Sequence, residues 1–78
     1  MPIEFDPTDA PSGTVTAVRG SVLDVTFEDD LPPVRNLLAD GSGEIVVEVL
    51  SHEDVDLARA IALTRTAGVA RDDTFYDL

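Results

Sequence analysis

The sequence contains no cysteine, no lysine and no tryptophan. Without cysteine, the chain can form neither a disulfide nor a thiolate metal site. Without lysine, it cannot contain the P-loop motif G-x-x-x-x-G-K-[ST], and the dinucleotide motif G-x-G-x-x-G is absent as well. The residues of this chain therefore exclude ATP hydrolysis by the P-loop route.

Long apolar runs are also missing. A membrane-spanning helix needs roughly 20 consecutive apolar residues, and no stretch of this sequence approaches that length. Residues 1–7 carry acids instead of the basic and apolar regions of a secretory signal. We therefore expect a soluble chain with no direct membrane insertion, located by default on the cytosolic side.

Basic residues are scarce, since five arginines stand against 16 acids and the formal net charge is −11. Nucleic acids and anionic lipids are bound mainly through clustered lysine and arginine, so the composition argues against both as partners. The simplest interpretation of the acidity is solubility, including solubility in a salty cytoplasm. The alternative is an acidic patch that steers a cationic partner.

Length and composition limit the chain to one small domain. Its 78 residues, 44% of them apolar, can enclose a single core, with an expected stability of a few to about 12 kcal/mol. Pro2, Pro7 and Pro11 cannot donate hydrogen bonds to a β-ladder. We predict a flexible lead over residues 1–12 and a folded β-barrel domain over residues 13–78.

Alternating residues predict strands in the first half of the domain. Residues 14–18 are mostly β-branched, as is typical of strands. Further along, Leu23, Val25 and Phe27 alternate with their neighbours and share one face, which indicates a half-buried strand. Gly20 separates the two runs and predicts a sharp bend or bulge.

Turn signals divide the following residues. The double proline at 32–33 predicts an open loop, and the Asp-Gly-Ser-Gly run at 40–43 predicts a turn. A short apolar segment, 34–38, lies between them. Residues 44–50 alternate as a strand covered on most of both faces.

The residues of the segment 51–63 alone do not decide between a helix and a strand. As a helix, it would be capped by Asp54 and would gather apolar residues on one side. As a strand, it would alternate large residues with alanine from Leu57 to Leu63. Residues 64–68 predict a loop, and a last β-prone stretch surrounds residues 75–76. Short strands separated by such turns predict an all-β fold, a small closed six-stranded β-barrel, rather than an open sheet with unpaired edges.

We expect no catalytic, cofactor-binding or metal-binding residues in this chain. Ser51 and His52 are adjacent, but neighbours on a strand point to opposite faces, which works against a serine–histidine nucleophile pair. His52 with Glu53, Asp54 and Asp56 lacks the ligand spacing of known metal loops. A solvated acidic turn is the simpler interpretation.

Glu48 stands in an otherwise apolar strand. A carboxylate in such a place can handle protons when its surroundings raise its pKa. We favour the structural alternative, in which Glu48 faces outward or pairs with an arginine such as Arg59.

The order of these segments resembles the opening of the catalytic β subunit of rotary, F-type ATP synthases, over about residues 13–77. Six landmarks occur in the family's order. Residues 13–27 resemble the motif G-x-V-x-x-V-x-G-x-V-x-D-V-x-F, residues 31–33 match L-P-P, and residues 36–39 resemble the short strand that follows. Residues 48–52 match E-V-x-x-H, residues 59–63 match R-x-I-A-L/M, and residues 66–71 resemble T-x-G-L-x-R. The resemblance implies a strand, not a helix, over 59–63. Two departures, Asp72 in place of the usual glycine and a compact turn after Gly41, are typical of a divergent branch such as the alternate sodium- or proton-linked ATPases.

The resemblance implies a mechanical role. In this family the N-terminal barrels of α and β subunits close into a hetero-hexameric ring and hold it together during ATP synthesis or hydrolysis coupled to ion transport. It implies α subunits and other β subunits as partners, at the cytoplasmic face of the membrane. Outward residues such as Val22 and Val46 are candidate contacts.

The resemblance also assigns the chemistry elsewhere. ATP, ADP and Mg²⁺ bind the nucleotide-binding domain of the family, which follows the barrel, so we expect no cofactor and no enzymatic activity in these residues. The alternative hypothesis is a free-standing small β-barrel that binds other proteins, which would be expected to carry an aromatic or basic face.

Overall fold

The computed structural model describes residues 4–8, 10–65 and 68–78. Its strands are β1 Ser12–Arg19, β2 Val22–Phe27, β3 Leu37–Asp40, β4 Val46–His52, β5 Leu57–Ala62 and β6 Thr74–Asp77. The spatial order is β1-β2-β5-β4-β3-β6, all pairs are antiparallel, and β6 pairs with both β3 and β1. The prediction of a closed six-stranded β-barrel is confirmed.

Each strand points alternate side chains into one core. The predicted inward face of β2 is correct, because Leu23, Val25 and Phe27 are all buried. On β4, Val47 and Val49 are fully buried and meet residues from the neighbouring strands. The complete cluster consists of Val15, Leu23, Val25, Phe27, Leu38, Val47, Val49, Ala58, Ala60 and Phe75.

Within the segment 51–63, for which the residues alone allowed a helix or a strand, residues 57–62 form strand β5, as the family resemblance implied for 59–63. β5 pairs with β2 on one side and β4 on the other, and its small residues Ala58 and Ala60 are fully buried inside the barrel. Asp54 caps no helix, since its carboxylate accepts a hydrogen bond from the Val55 N–H within a turn. Pairing on both edges overrides the helix propensity of the alanines.

Two backbone positions show how the chain reverses direction. Gly20 has a φ of 61° in the turn between β1 and β2, which confirms the predicted bend. Asp72, where the family usually has glycine, has a φ of 76°, and its N–H donates to the Val15 carbonyl at 2.8 Å. Aspartate is among the residues that tolerate this left-handed region. Asp72 therefore has a left-handed backbone conformation of the kind that glycine adopts readily.

Parts of the predicted lead contact the barrel. The Asp77 N–H donates to the Pro11 carbonyl at 2.8 Å, and the rings of Phe5 and Tyr76 lie 5.7 Å apart. Residues 1–3 and 9 lie outside the described residues, and the flexibility of the lead stays a prediction. In the predicted loop 64–68, residues 66 and 67 also lie outside the described part.

Candidate assembly surface

A row of outward side chains crosses four neighbouring strands of the barrel. The cross-strand register pairs Val22 with Ile61, Ile61 with Glu48, and Glu48 with Leu37. Val22 and Ile61 are half-buried and Leu37 is exposed. We call these four residues the outer row. The outer row places three apolar side chains around one carboxylate on the outside of the barrel.

Of the two predicted contact residues, Val22 is partly accessible on this wall and Val46 is buried. Val22 lies on the outer row with part of its surface accessible. Val46 is only 8% exposed, and Thr64 and Leu63 bond to its backbone, so its selection as a contact residue is wrong. Sequence alternation placed Val46 on the outer face and did not anticipate its low exposure or its backbone hydrogen bonds with the residues that follow β5.

Glu48 is half-buried and faces outward, as expected. Its nearest arginine is Arg35, with the two charged groups 4.0 Å apart, rather than Arg59. Arg59 is engaged by other acids. Glu48 therefore lies on the outside of the barrel and forms a long ion pair with Arg35, whose side chain is mostly in solvent.

A charged network lies beside the outer row. Asp24, only 9% exposed, accepts from Arg59 Nε at 3.0 Å and from Arg19 Nη2 at 3.3 Å. Arg59 Nη1 also lies 3.2 Å from Glu53 Oε1, and Ser51 Oγ donates to Glu53 Oε2 at 2.6 Å. The network joins β1, β2 and β5 and reaches the end of β4. It can fix the register of these strands against one another.

The acids of the network favour the protonated form of Arg59. The hydrogen bond that Arg59 donates to the Asp24 carboxylate raises the pKa of the Arg59 guanidinium, and the charges of Asp24 and Glu53 raise it further. A raised arginine pKa means that any stabilisation from this cation is lost only as the pH rises through that raised value. The cation therefore persists throughout the neutral range.

The Asp24 network can be tested by removing one charge. Asp24→Asn keeps the size of the side chain but leaves Arg19 and Arg59 without their shared carboxylate, so we expect the thermal midpoint to fall by several degrees. Glu48→Gln is the control, because its ion pair is long and exposed, and it should change the midpoint very little. Equal midpoints for the two variants in calorimetry would contradict the assignment.

Ser51 and His52 do not form a pair. Ser51 donates to Glu53, whereas His52 Nε2 lies 2.7 Å from the Pro32 carbonyl oxygen. Because a carbonyl only accepts, Nε2 carries the hydrogen. His52 thereby ties the end of β4 to the loop after β2, which brings the L-P-P and E-V-x-x-H landmarks into direct contact.

The acidic turn does not converge on a metal position. Within residues 4–8, 10–65 and 68–78, no three histidines or acids are placed to share an ion. An open groove of about 370 Å³ beside the start of β1 has Glu28 and Asp29 in its lining, which is an unfavourable setting for phosphate. The predicted absence of metal and cofactor sites stays a prediction. No helix in the described part has the length and apolar character to cross a membrane.

The strand order defines a small closed β-barrel of six antiparallel strands. The family described as "ATP synthase alpha/beta family, beta-barrel domain" matches residues 15–78. The chain belongs to this family and corresponds to its N-terminal barrel domain.

Relatives with similar sequences are named as β subunits of ATP synthases. The chain is 56% identical to ATP synthase subunit beta 2 of Albidiferax ferrireducens over 65 residues, 83% of this chain and 12% of the relative. It is 53% identical to subunit beta 2 of Polaromonas naphthalenivorans over 64 residues, 81% of this chain and 14% of that one. Subunit beta 2 of Shewanella frigidimarina is 52% identical over 61 residues, 77% of this chain and 13% of the relative. The chain thus spans only a small part of each relative.

Proposed function

We propose that this barrel is the assembly domain of an F-type ATP synthase β subunit, and that it holds alternating α and β subunits in a hetero-hexameric ring. The observation that carries the proposal is the family match over a closed barrel whose outer row contains three apolar side chains. ATP synthesis or hydrolysis and ion transport belong to the whole enzyme. The barrel would remain fixed while the nucleotide-binding domains open and close.

The physical properties of the barrel support this role. A closed ladder leaves no unpaired strand edge, so neighbours cannot add strands and must dock side chain against side chain. The Asp24 network stiffens the wall beside the outer row. A stiff wall loses little conformational entropy on association. The position in the enzyme would be peripheral, at the cytoplasmic face of the membrane.

Ring formation can be tested by barrel exchange. In the proposed experiment, this barrel replaces that of subunit beta 2 from Albidiferax ferrireducens, and the fused subunit is mixed with the α subunit of that organism. We expect native mass spectrometry to show an α/β ring. A folded fused subunit that never assembles with α would contradict the proposal and favour a free-standing binding module.

A matched pair of variants tests the outer row in the same assay. Ile61→Arg places a charge in the outer row, where desolvating it would oppose association, so we expect loss of the ring. Leu63→Arg places the same charge on an exposed side chain just past the end of β5 and should leave the ring intact. Circular dichroism of the isolated variants checks that both barrels fold. Equal assembly of the two variants would exclude the outer row as a contact.

Nucleotide chemistry is proposed to reside outside this barrel, with ATP, ADP and Mg²⁺ bound by the domain that follows it. We therefore expect no change in the thermal midpoint of the 78-residue chain when Mg-ATP is added. Calorimetry with and without millimolar nucleotide measures this directly. A ligand at about 100 times its dissociation constant stabilises by about 2.7 kcal/mol, so a rise of several degrees would reveal a nucleotide site and contradict the expectation.

A further inference from the structure

One residue of β3 is buried although it does not belong to the core. Ala39 is fully buried, yet it is not a member of the core cluster. Its neighbour Leu38 points into the core, and successive side chains of a strand point to opposite faces. Ala39 therefore faces outward, and its burial requires a cover on the outside of the barrel.

The closing strand supplies the first part of this cover. Phe75 is fully buried in the core, so Tyr76 points outward from β6. The register pairs Tyr76 with Ala39 on β3 and with Ser12 on β1. Side chains of directly paired residues lie roughly 5 Å apart on one face of a sheet. The half-buried Tyr76 side chain therefore lies next to Ala39 on the outside of the barrel.

The segment that precedes β1 supplies the second part. The ring of Phe5 lies 5.7 Å from the ring of Tyr76, with an interplanar angle of 51°. This tilted arrangement is one that aromatic pairs prefer. We call residues 4–8 the strap, and Ala39, Tyr76 and Phe5 the outer cluster. Small apolar clusters of this kind form beneath chain segments that cross the outside of a domain.

Local hydrogen bonds give the strap its shape. Asp6 Oδ1 accepts from the Thr8 N–H at 3.0 Å and from Thr8 Oγ1 at 2.6 Å. Pro7 lies between them, and aspartate followed by proline is typical of turns. A second attachment follows at Pro11, whose carbonyl accepts from the Asp77 N–H at 2.8 Å. The chain before β1 is thus attached to β6 through a ring contact and a backbone hydrogen bond.

The closing strand depends on few contacts of its own. β6 has four residues, and three of them pair with β1 and three with β3. If β6 left the barrel, β1 and β3 would each present an unpaired edge, and such edges pair readily with other chains. A strand of one copy can also replace the same strand in another, which is domain swapping. Contacts that hold β6 in place therefore protect the chain against both events.

We propose that the strap holds β6 in its own barrel and so prevents two copies of the chain from exchanging this strand. Departure of β6 would separate the Phe5 and Tyr76 rings and expose Ala39, so the outer cluster opposes it. The strap precedes residue 15, where the family match begins. Its role is independent of the proposed ring, and it makes residues 4–8 a bound segment instead of part of a flexible lead.

Hydrogen exchange of the 78-residue chain measures the effect of the strap on β6. Phe5→Ser removes the ring from the outer cluster. We expect the amides of Asp77 and Val15, which donate to Pro11 and Asp73 across the β1–β6 boundary, to exchange about tenfold faster in this variant. Unchanged rates at these two amides would overturn the proposal.

Two reference amides distinguish local opening from a general loss of stability. The amides of Phe27 and Ala62 donate to the carbonyls of Asp56 and Ser21, at the two ends of the β2–β5 pair. Opening of β6 alone leaves these bonds intact, so their exchange rates should be the same with and without Phe5. An equal increase at all four amides would show that Phe5 stabilises the whole barrel, and would overturn a role specific to β6.

Two further variants test the ring contact itself. Glu4→Ser changes the exposed residue before Phe5 and should leave the exchange of Asp77 unchanged. Phe5→Leu keeps an apolar side chain without the ring, so an intermediate rate, about threefold above the unsubstituted chain, is expected. If Phe5→Ser fails to fold, Phe5→Leu carries the test, and an unchanged rate in it would overturn the proposal. A Glu4→Ser effect as large as that of Phe5→Ser would do the same.

Strand exchange between copies is measured separately by light scattering of concentrated samples. Salt at about 0.5 M screens the repulsion between chains of net charge −11. We expect the unsubstituted chain and Glu4→Ser to stay monomeric and Phe5→Ser to form dimers. In a mixture of labelled and unlabelled Phe5→Ser chains, nuclear Overhauser contacts from Phe75 of one copy to Gly13 of the other should identify the exchanged strand. A monomeric Phe5→Ser variant, or dimers without these contacts, would overturn the proposal, whatever the outcome of the ring experiments.

Discussion

Replacing Phe75 with alanine is expected to reduce the free energy of unfolding by about 3–5 kcal/mol. Phe75 is fully buried and has the largest of the fully buried side chains. It lies on β6, whose pairing with β1 and β3 closes the barrel over only four residues. The loss is a large share of the few to about 12 kcal/mol expected for a domain of this size.

Urea unfolding followed by circular dichroism measures this loss. Phe75→Leu is the control, since it keeps an apolar side chain of related volume and should cost less than the truncation. If Phe75→Ala shifted the urea midpoint no more than Phe75→Leu, β6 would contribute little to the barrel. The closing role given to this strand would then be wrong.

Gly13→Ala is expected to destabilise the barrel by about 1–3 kcal/mol through overpacking. A Cβ at this position would lie 2.7 Å from Val25 Cγ1 and 2.8 Å from Phe27 Cζ. Both neighbours belong to the core, where they cannot move away freely. Gly13 also pairs with Phe27 and Phe75, so any shift of its backbone would disturb the pairing of β1 with both β2 and β6.

Gly41→Ala provides the comparison for this prediction. An added Cβ at Gly41 meets only Tyr76 Cε1 at 3.8 Å, an ordinary contact, so a change within about 0.5 kcal/mol is expected. Thermal unfolding of the two variants under identical conditions gives the difference. Equal stability would show that the core relaxes around Gly13 without cost.

Local patterns predicted much of the fold because they depend on near neighbours. The inward face of β2 and the bend at Gly20 follow from alternation and from the glycine alone. β5 was different, because alanine is compatible with both a helix and a crowded barrel interior. Its strand pairing involves β2, about 35 residues earlier, and only the family resemblance anticipated it.

The contacts on the surface were harder to anticipate. The sequence shows Asp24 in an alternating strand. Its partner Arg59 lies 35 positions away, however, and becomes adjacent only through the β2–β5 register. The same reason explains why Glu48 was assigned Arg59 and has Arg35 nearby. Side-chain partners across strands depend on register, which short motifs do not encode.

The most direct test of the closed scaffold is an NMR measurement on the 78-residue chain in solution. The account predicts nuclear Overhauser contacts that connect β6 to both of its neighbours in one molecule, from Phe75 to Gly13 and from Tyr76 to Ala39. Contacts to only one neighbour, or helical contacts through Leu57–Ala62, would show an open sheet or a different fold and would contradict the account.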